Sequence, residues 1–196
     1  MSALRPADVV ALLQRERVVT LTPTGRVRSL VEEVAGEAVR GSWWGHPKGK
    51  AIYACATTLE ASGEALVVKL IAGKVTFVHR VLWPALYRVA TDGTRRRAAI
   101  ATLSADARAL LARVDEAGEL RLDQLRPAAK PRARESLEKA LLCLTEDLHT
   151  EKGSHTKILR TWERWADPPL GRAAATLDLE EARAALAAAC GGEIAL

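Results

Sequence analysis

Apolar residues recur along this chain with two different periods, and the switches between them mark out its elements. Val9, Leu12 and Leu13 behind Pro6, then Val27, Leu30, Val31 and Val34 ahead of Gly36, keep the spacing of one helix face. Residues 50–61 do the same, with Ile52, Cys55, Ala56 and Leu59 on one side and Ser62-Gly63 as the stop. The period then shortens. Residues 65–71 are a nearly continuous Val/Leu run broken by Lys69, and in residues 74–80 Val75 and Phe77 alternate with Thr76 and Val78. Two strands joined by a tight turn at Ala72-Gly73 are predicted. Helical spacing returns over residues 82–90, where Pro84 is tolerable in a first turn. Asp92-Gly93-Thr94 and the consecutive Arg95, Arg96 and Arg97 read as a linker.

Beyond it, Ser104 is a natural N-cap for a helix whose stripe is Ala107, Leu110, Leu111 and Val114 and whose end is Gly118. Leu120 and Leu122 flank Arg121 as in a short strand, and Leu125 belongs to a brief second helix cut short by Pro127 and Pro131. A third helix from Arg132 turns Ala133, Leu137, Ala140, Leu141 and Leu144 inward and leaves Arg132, Glu135, Ser136 and Lys139 outside. Residues 142–148 and 156–162 form a predicted hairpin around Glu151-Lys152-Gly153-Ser154. Trp162 and Trp165 are expected to pack on the base of this domain, Asp167-Pro168-Pro169 to make a rigid exit, and a last helix to run from Asp178 to Gly191-Gly192. The expectation is an α+β protein in three parts: a small α/β domain over residues 1–97, a domain of helices and hairpin over 98–166, and a Pro-Pro segment and helix over 167–196.

Composition narrows the partners. At 196 residues there is room for one large core or two small ones. No apolar run approaches the roughly 20 residues that span a bilayer, and the first residues lack a secretory pattern, so a cytoplasmic protein with no membrane partner is expected. Cys55, Cys143 and Cys190 lie far apart with no C-x-x-C pair, which predicts buried free thiols rather than zinc ligands. A net charge of +5 and a pI near 9.4 favour anionic partners.

The order helix, short strand, helix, helix, hairpin over residues 103–165 resembles the winged helix-turn-helix superfamily. That resemblance implies duplex DNA as partner, with the third helix in the major groove and the hairpin, the wing, on the backbone or minor groove. Leu148-His149-Thr150-Glu151-Lys152-Gly153-Ser154-His155 is similar to the wing of bacterial DNA glycosylases assembled from tandem winged helices, which excise alkylated or crosslinked bases. The catalytic Gln-containing motif of that family has no counterpart here, so the likeness implies a fold and a repair-associated setting, not the activity. Ser42-Trp43-Trp44-Gly45-His46-Pro47 and residues 74–86 resemble blocks of uncharacterised bacterial proteins, which implies no function.

Phosphate contact needs long cationic side chains, because neutralising phosphates releases condensed counterions. Lys130, Arg132, Arg134, Ser136 and Lys139 on the third helix and Lys152, His155, Lys157 and Arg160 on the wing are the candidates, and Arg95, Arg96 and Arg97 would extend the track. The plainer alternative is a solvated face with pairs such as Glu135 and Lys139. With neither Asn nor Gln on the third helix, low or shape-based sequence specificity is predicted.

In the first half, Trp43 and Trp44 are either a stacking platform for a base or plugs that close a small core. His46 can move a proton near neutral pH, and Lys74, His79 and Arg80 can hold a phosphate or polarise a leaving group. His149 and His155 with Glu146, Asp147 and Glu151 match no zinc spacing, so neither a metal nor a cofactor is expected. A Gly-rich phosphate loop, a nucleophile elbow and His-Glu-x-x-His are all missing from the sequence. Three functions stay open: a regulatory or repair-associated DNA-binding protein, a nucleic-acid-processing enzyme using His46, Lys74, His79 and Arg80, and a winged-helix protein-interaction module. The Ala-rich last helix is compatible with a homodimer.

Overall fold

The computed structural model describes residues 4–125, 130–149, 155–192 and 194. The fold is α+β, with two three-stranded antiparallel sheets among the described residues. It forms two compact units, one built from Met1–Trp83 and Arg183–Ala195, the other from Pro84–Ala182.

In the first unit, helices α1 (Val9–Glu16), α2 (Leu30–Ala35) and α3 (Gly49–Ala61) accompany a sheet of β1 (Val18–Thr20), β2 (Ala65–Ile71) and β3 (Lys74–His79), ordered β1-β3-β2. The predicted helix stripes become the core: Val9, Leu12 and Leu13 of α1, Leu30, Val31 and Val34 of α2, and Ile52, Cys55 and Leu59 of α3 meet Val19 and Phe77 of the sheet. Each fully buried Leu, Val or Phe side chain contributes roughly 1.5–3 kcal/mol of transfer free energy, which makes this cluster the unit's chief support. Ser29 Oγ accepts from the Glu32 N–H at 3.2 Å and starts α2. The β2–β3 hairpin forms where the alternation places it. Strand β1, pairing Val18 with Val78 and Val19 with Phe77, is an addition that its three residues were too short to announce.

The second unit runs α4 (Trp83–Ala90), α5 (Gly93–Ala101), α6 (Ala105–Ala117), β4 (Glu119–Arg121), a 3-10 turn (Leu122–Gln124), α7 (Pro131–Lys139), β5 (Leu144–His149), β6 (His155–Arg160), α8 (Trp162–Trp165) and α9 (Pro168–Ala175). Its sheet is ordered β4-β6-β5. Leu110, Leu111 and Val114 of α6 pack with Ala133 and Leu137 of α7, with Leu142, Cys143 and with Leu159 of β6. The α6 stripe, its Ser104 cap and its Gly118 end all stand where the periodicity put them.

Four expectations are corrected here. Asp92–Arg97 is no linker: Asp92 Oδ1 accepts from the Arg95 N–H at 2.8 Å and caps α5, which carries all three arginines. The brief second helix is the 3-10 turn ahead of buried Leu125, and Pro127 lies outside the described residues. Helix α7 stops at Lys139 and does not reach Leu144, because Leu141 adopts φ +49° and turns the chain into β5. Asp167-Pro168-Pro169 opens α9 rather than leading away, since Asp167 Oδ1 caps the Leu170 N–H at 2.8 Å and proline suits a first helical turn.

The last helix, α10 (Leu179–Ala189), is followed by Gly191 at φ +68°, where a Cβ would stand 2.5 Å from the Arg26 carbonyl oxygen. Only glycine fits this close approach. All three cysteines are buried and free. No helix among the described residues is long and apolar enough to cross a membrane.

Candidate nucleic-acid interface

Helix α7 sits between a 3-10 turn and a hairpin, and its amphipathic sequence fixes which side is wet. Ala133 and Leu137 go into the core, which leaves Arg132 exposed one residue after Pro131 at the helix start. Among the described residues Arg132 makes no ion pair. Its neighbours are engaged: Arg134 Nε lies 3.2 Å from Glu138 Oε1, Lys139 Nζ 2.9 Å from Glu135 Oε1, and Lys130 Nζ 2.7 Å from Asp106 Oδ2. Ser136 Oγ donates to the Arg132 carbonyl at 2.9 Å, inside its own helix.

The hairpin repeats the pattern. Lys157 Nζ on β6 lies 2.6 Å from Oδ1 of Asp147, the directly opposed residue on β5, and Arg160 bridges Glu119 at 2.7 Å and Glu146 at 2.9 Å. Arg160 thereby ties β4, β5 and β6 together. Lys152 lies outside the described residues, as do the side chains of His149 and His155, whose backbones pair across the hairpin.

The arginine run does not extend a cationic track. Arg95 is 7% exposed and donates from Nε to Val89 O at 3.0 Å, from Nη1 to Ala140 O at 2.8 Å, and from Nη2 to Ala90 O at 3.0 Å and Leu141 O at 3.1 Å. One guanidinium therefore closes the carbonyl ends of both α4 and α7, where cations also suit the helix dipole. Arg96 grips both Asp115 oxygens at 2.6 Å and the Leu142 carbonyl at 3.3 Å. Arg97 alone of the three is exposed.

The aromatic block lies on the first unit. A 3-10 turn (Trp43–Gly45) stacks Trp43 on Trp44 with centroids 4.1 Å apart and planes 24° apart. Trp43 packs against the core, whereas Trp44 remains 64% exposed, so the pair is half plug and half surface. A Cβ on Gly49 would lie 3.0 Å from Trp43 O and 3.1 Å from Trp44 O, so a glycine lets α3 start directly against the turn. His46 Nδ1 accepts from the Lys48 N–H at 3.2 Å, which leaves its proton on Nε2 facing Glu37 Oε1 at 3.3 Å.

His79 is held by a different set. Its Nδ1 accepts from the Val81 N–H and faces Arg17 Nη1, both at 3.4 Å, while Nε2 stands 3.2 Å from Glu64 Oε2, which also pairs through Oε1 with Arg80 at 3.1 Å. Burial, and after it the Arg17 charge, hold the imidazole pKa below the ordinary histidine value, against the opposing pull of Glu64. Lys74 begins β3 and His79 ends it, so five strand steps of about 3.3 Å separate them by roughly 17 Å.

Among the described residues no group of three or more His, Cys, Asp or Glu side chains is placed to hold a metal. The chain matches no protein-family model, no curated protein and no solved structure.

Proposed function

We propose that the second unit is a winged helix that binds duplex DNA, with α7 entering the major groove and the β5–β6 hairpin resting on the backbone, in a regulatory or repair-associated role. The observation that carries this reading is Arg132, exposed and without an ion pair among the described residues, in the first turn of a helix that an antiparallel hairpin follows. Positive helix ends and long cations both favour phosphate. Lys130, Lys139 and Lys157 are paired with exposed carboxylates, where such pairs are worth about 0–1 kcal/mol and yield readily to a polyanion, whereas Arg134 is held by buried Glu138. Base reading is weak by this account, because Ser136 bonds its own helix and Arg134 answers Glu138.

The same pairings favour a second reading, a protein-interaction module, since a face of matched charges also suits a protein partner. A gel shift on generic duplex with Arg132→Ala and Lys157→Ala separates the two. Loss of affinity in both variants with the fold intact supports DNA; unchanged affinity in both transfers the face to a protein partner. The enzyme reading has less to support it, because Lys74 and His79 stand at opposite ends of β3 and His46 and His79 pair with different carboxylates.

A further inference from the structure

The solvent face of α3 carries Lys50, Tyr53, Thr57 and, at its far end, Glu60, three and four residues apart, opposite buried Ile52, Cys55, Ala56 and Leu59. Tyr53 is 52% exposed, and its ring centroid lies 5.6 Å from that of Trp44 at a tilt of 39°. Trp43, Trp44 and Tyr53 thus make one ledge, anchored where Trp43 enters the core and where Gly49 leaves no room for a side chain beside the Trp43 and Trp44 carbonyls. Leaving this much ring surface in water is unfavourable at about 25 cal/mol per Å², and clustered exposed apolar surface marks binding.

Charge indicates the occupant. Lys50 is one helical turn from Tyr53, and Arg40 is four residues from Trp44, hence within about 14 Å even for extended chain. Both are exposed, and neither makes an ion pair among the described residues. The nearby Glu37 carboxylate faces His46. Flat π faces flanked by unpaired cations fit a polyanion that carries flat rings. Duplex bases cover each other's faces, so only unpaired ones can stack here. A membrane would need more apolar depth than three rings set among Ser42, His46 and Thr57.

We propose that Trp44 and Tyr53, backed by Trp43, are a stacking ledge for unpaired bases of single-stranded nucleic acid, with Lys50 and Arg40 meeting its phosphates. This site is independent of α7 and of the duplex reading. The test is binding of labelled oligodeoxythymidine to the full chain, followed by anisotropy and by quenching of tryptophan emission. Saturable binding with quenching is expected, and it should persist in an Arg132→Ala/Lys157→Ala variant. Trp44→Ala and Tyr53→Ala, both at exposed positions, should each weaken binding about 5- to 150-fold, the range for one stacked base. Lys50→Ala should flatten the salt dependence by about one phosphate contact. An abasic strand of equal length that binds as tightly would overturn the proposal. So would full affinity in both alanine variants, or a response to anionic phospholipid vesicles without one to oligodeoxythymidine.

Discussion

Replacing Arg95 by methionine tests how the second unit holds α7 in place. The substitution keeps a long unbranched buried chain and removes the donors to Val89, Ala90, Ala140 and Leu141. A hydrogen bond from a charged donor is worth about 1.5–3 kcal/mol when lost alone, but four bonds sharing one guanidinium do not add. The dominant cost is the Ala90 and Ala140 carbonyls losing their donor, since Val89 O keeps the Asp92 N–H at 3.2 Å and Leu141 O keeps Trp162 Nε1 at 2.8 Å. Losing the charge-assisted bonds and orphaning two buried carbonyls at about 1–3 kcal/mol each puts the cost at about 3–5 kcal/mol. That is a large share of a typical total of about 5–15 kcal/mol, and it corresponds to a fall in Tm of about 6–20 °C at 2–4 °C per kcal/mol. Urea unfolding followed by circular dichroism and tryptophan emission measures it. Arg95→Lys, which has three donors and no planar fork, should lose about half as much. A methionine variant within about 1 kcal/mol of the parent would refute the clasp, because surface arginines behave that way.

Three further outcomes follow from the same geometry. The unfolded chain takes up a proton on His79 near pH 6.5 that the folded chain resists, so its contribution to stability is full above about pH 6.5 and is lost as pH falls toward the lowered folded value. Unfolding scans across that window should show a decline that His79→Gln removes; an equal decline in the variant would exclude His79 as its source. Gly191→Ala meets the Arg26 carbonyl at 2.5 Å with φ +68°, and should destabilise the first unit by about 2–4 kcal/mol in thermal unfolding, counting left-handed strain and overpacking. Burial pushes the Cys143 and Cys190 thiols up to about 12 and raises that of Cys55, so a thiol reagent should label the chain only after denaturant is added.

Where apolar periodicity was long, the sequence alone placed the elements: α3, α6 and the β2–β3 hairpin fall where Ile52, Leu110 and Phe77 and their neighbours demand. It failed where the buried residue is polar or the cue is ambiguous. Helix α5 hides Arg95 on its inner side, which inverts the usual apolar signal, and Asp92-Gly93 serves as a cap although the pair also signals a turn. Pro168-Pro169 is read as a breaker and as a helix start with equal right until Asp167 is seen to cap it. The pairing of the cations was not legible either, because the carboxylates that engage Lys130, Lys157 and Arg160 come from other elements, out of register in the sequence. Tyr53 was missed as well. Its signal was a large ring on the polar side of α3, at the position where a helix normally shows only charge.

The central claim, that α7 and its hairpin grip a polyanion, is met most directly by the salt dependence of duplex binding. Anisotropy of a labelled generic duplex over a range of ionic strengths should give log K falling linearly with log salt, with a slope of about −4 if Lys130, Arg132, Lys139 and Lys157 each take a phosphate. Arg132→Ala should lower the magnitude by about 1 and leave the unfolding midpoint unchanged. A duplex that does not bind at low salt, or a slope indifferent to Arg132, would contradict the account.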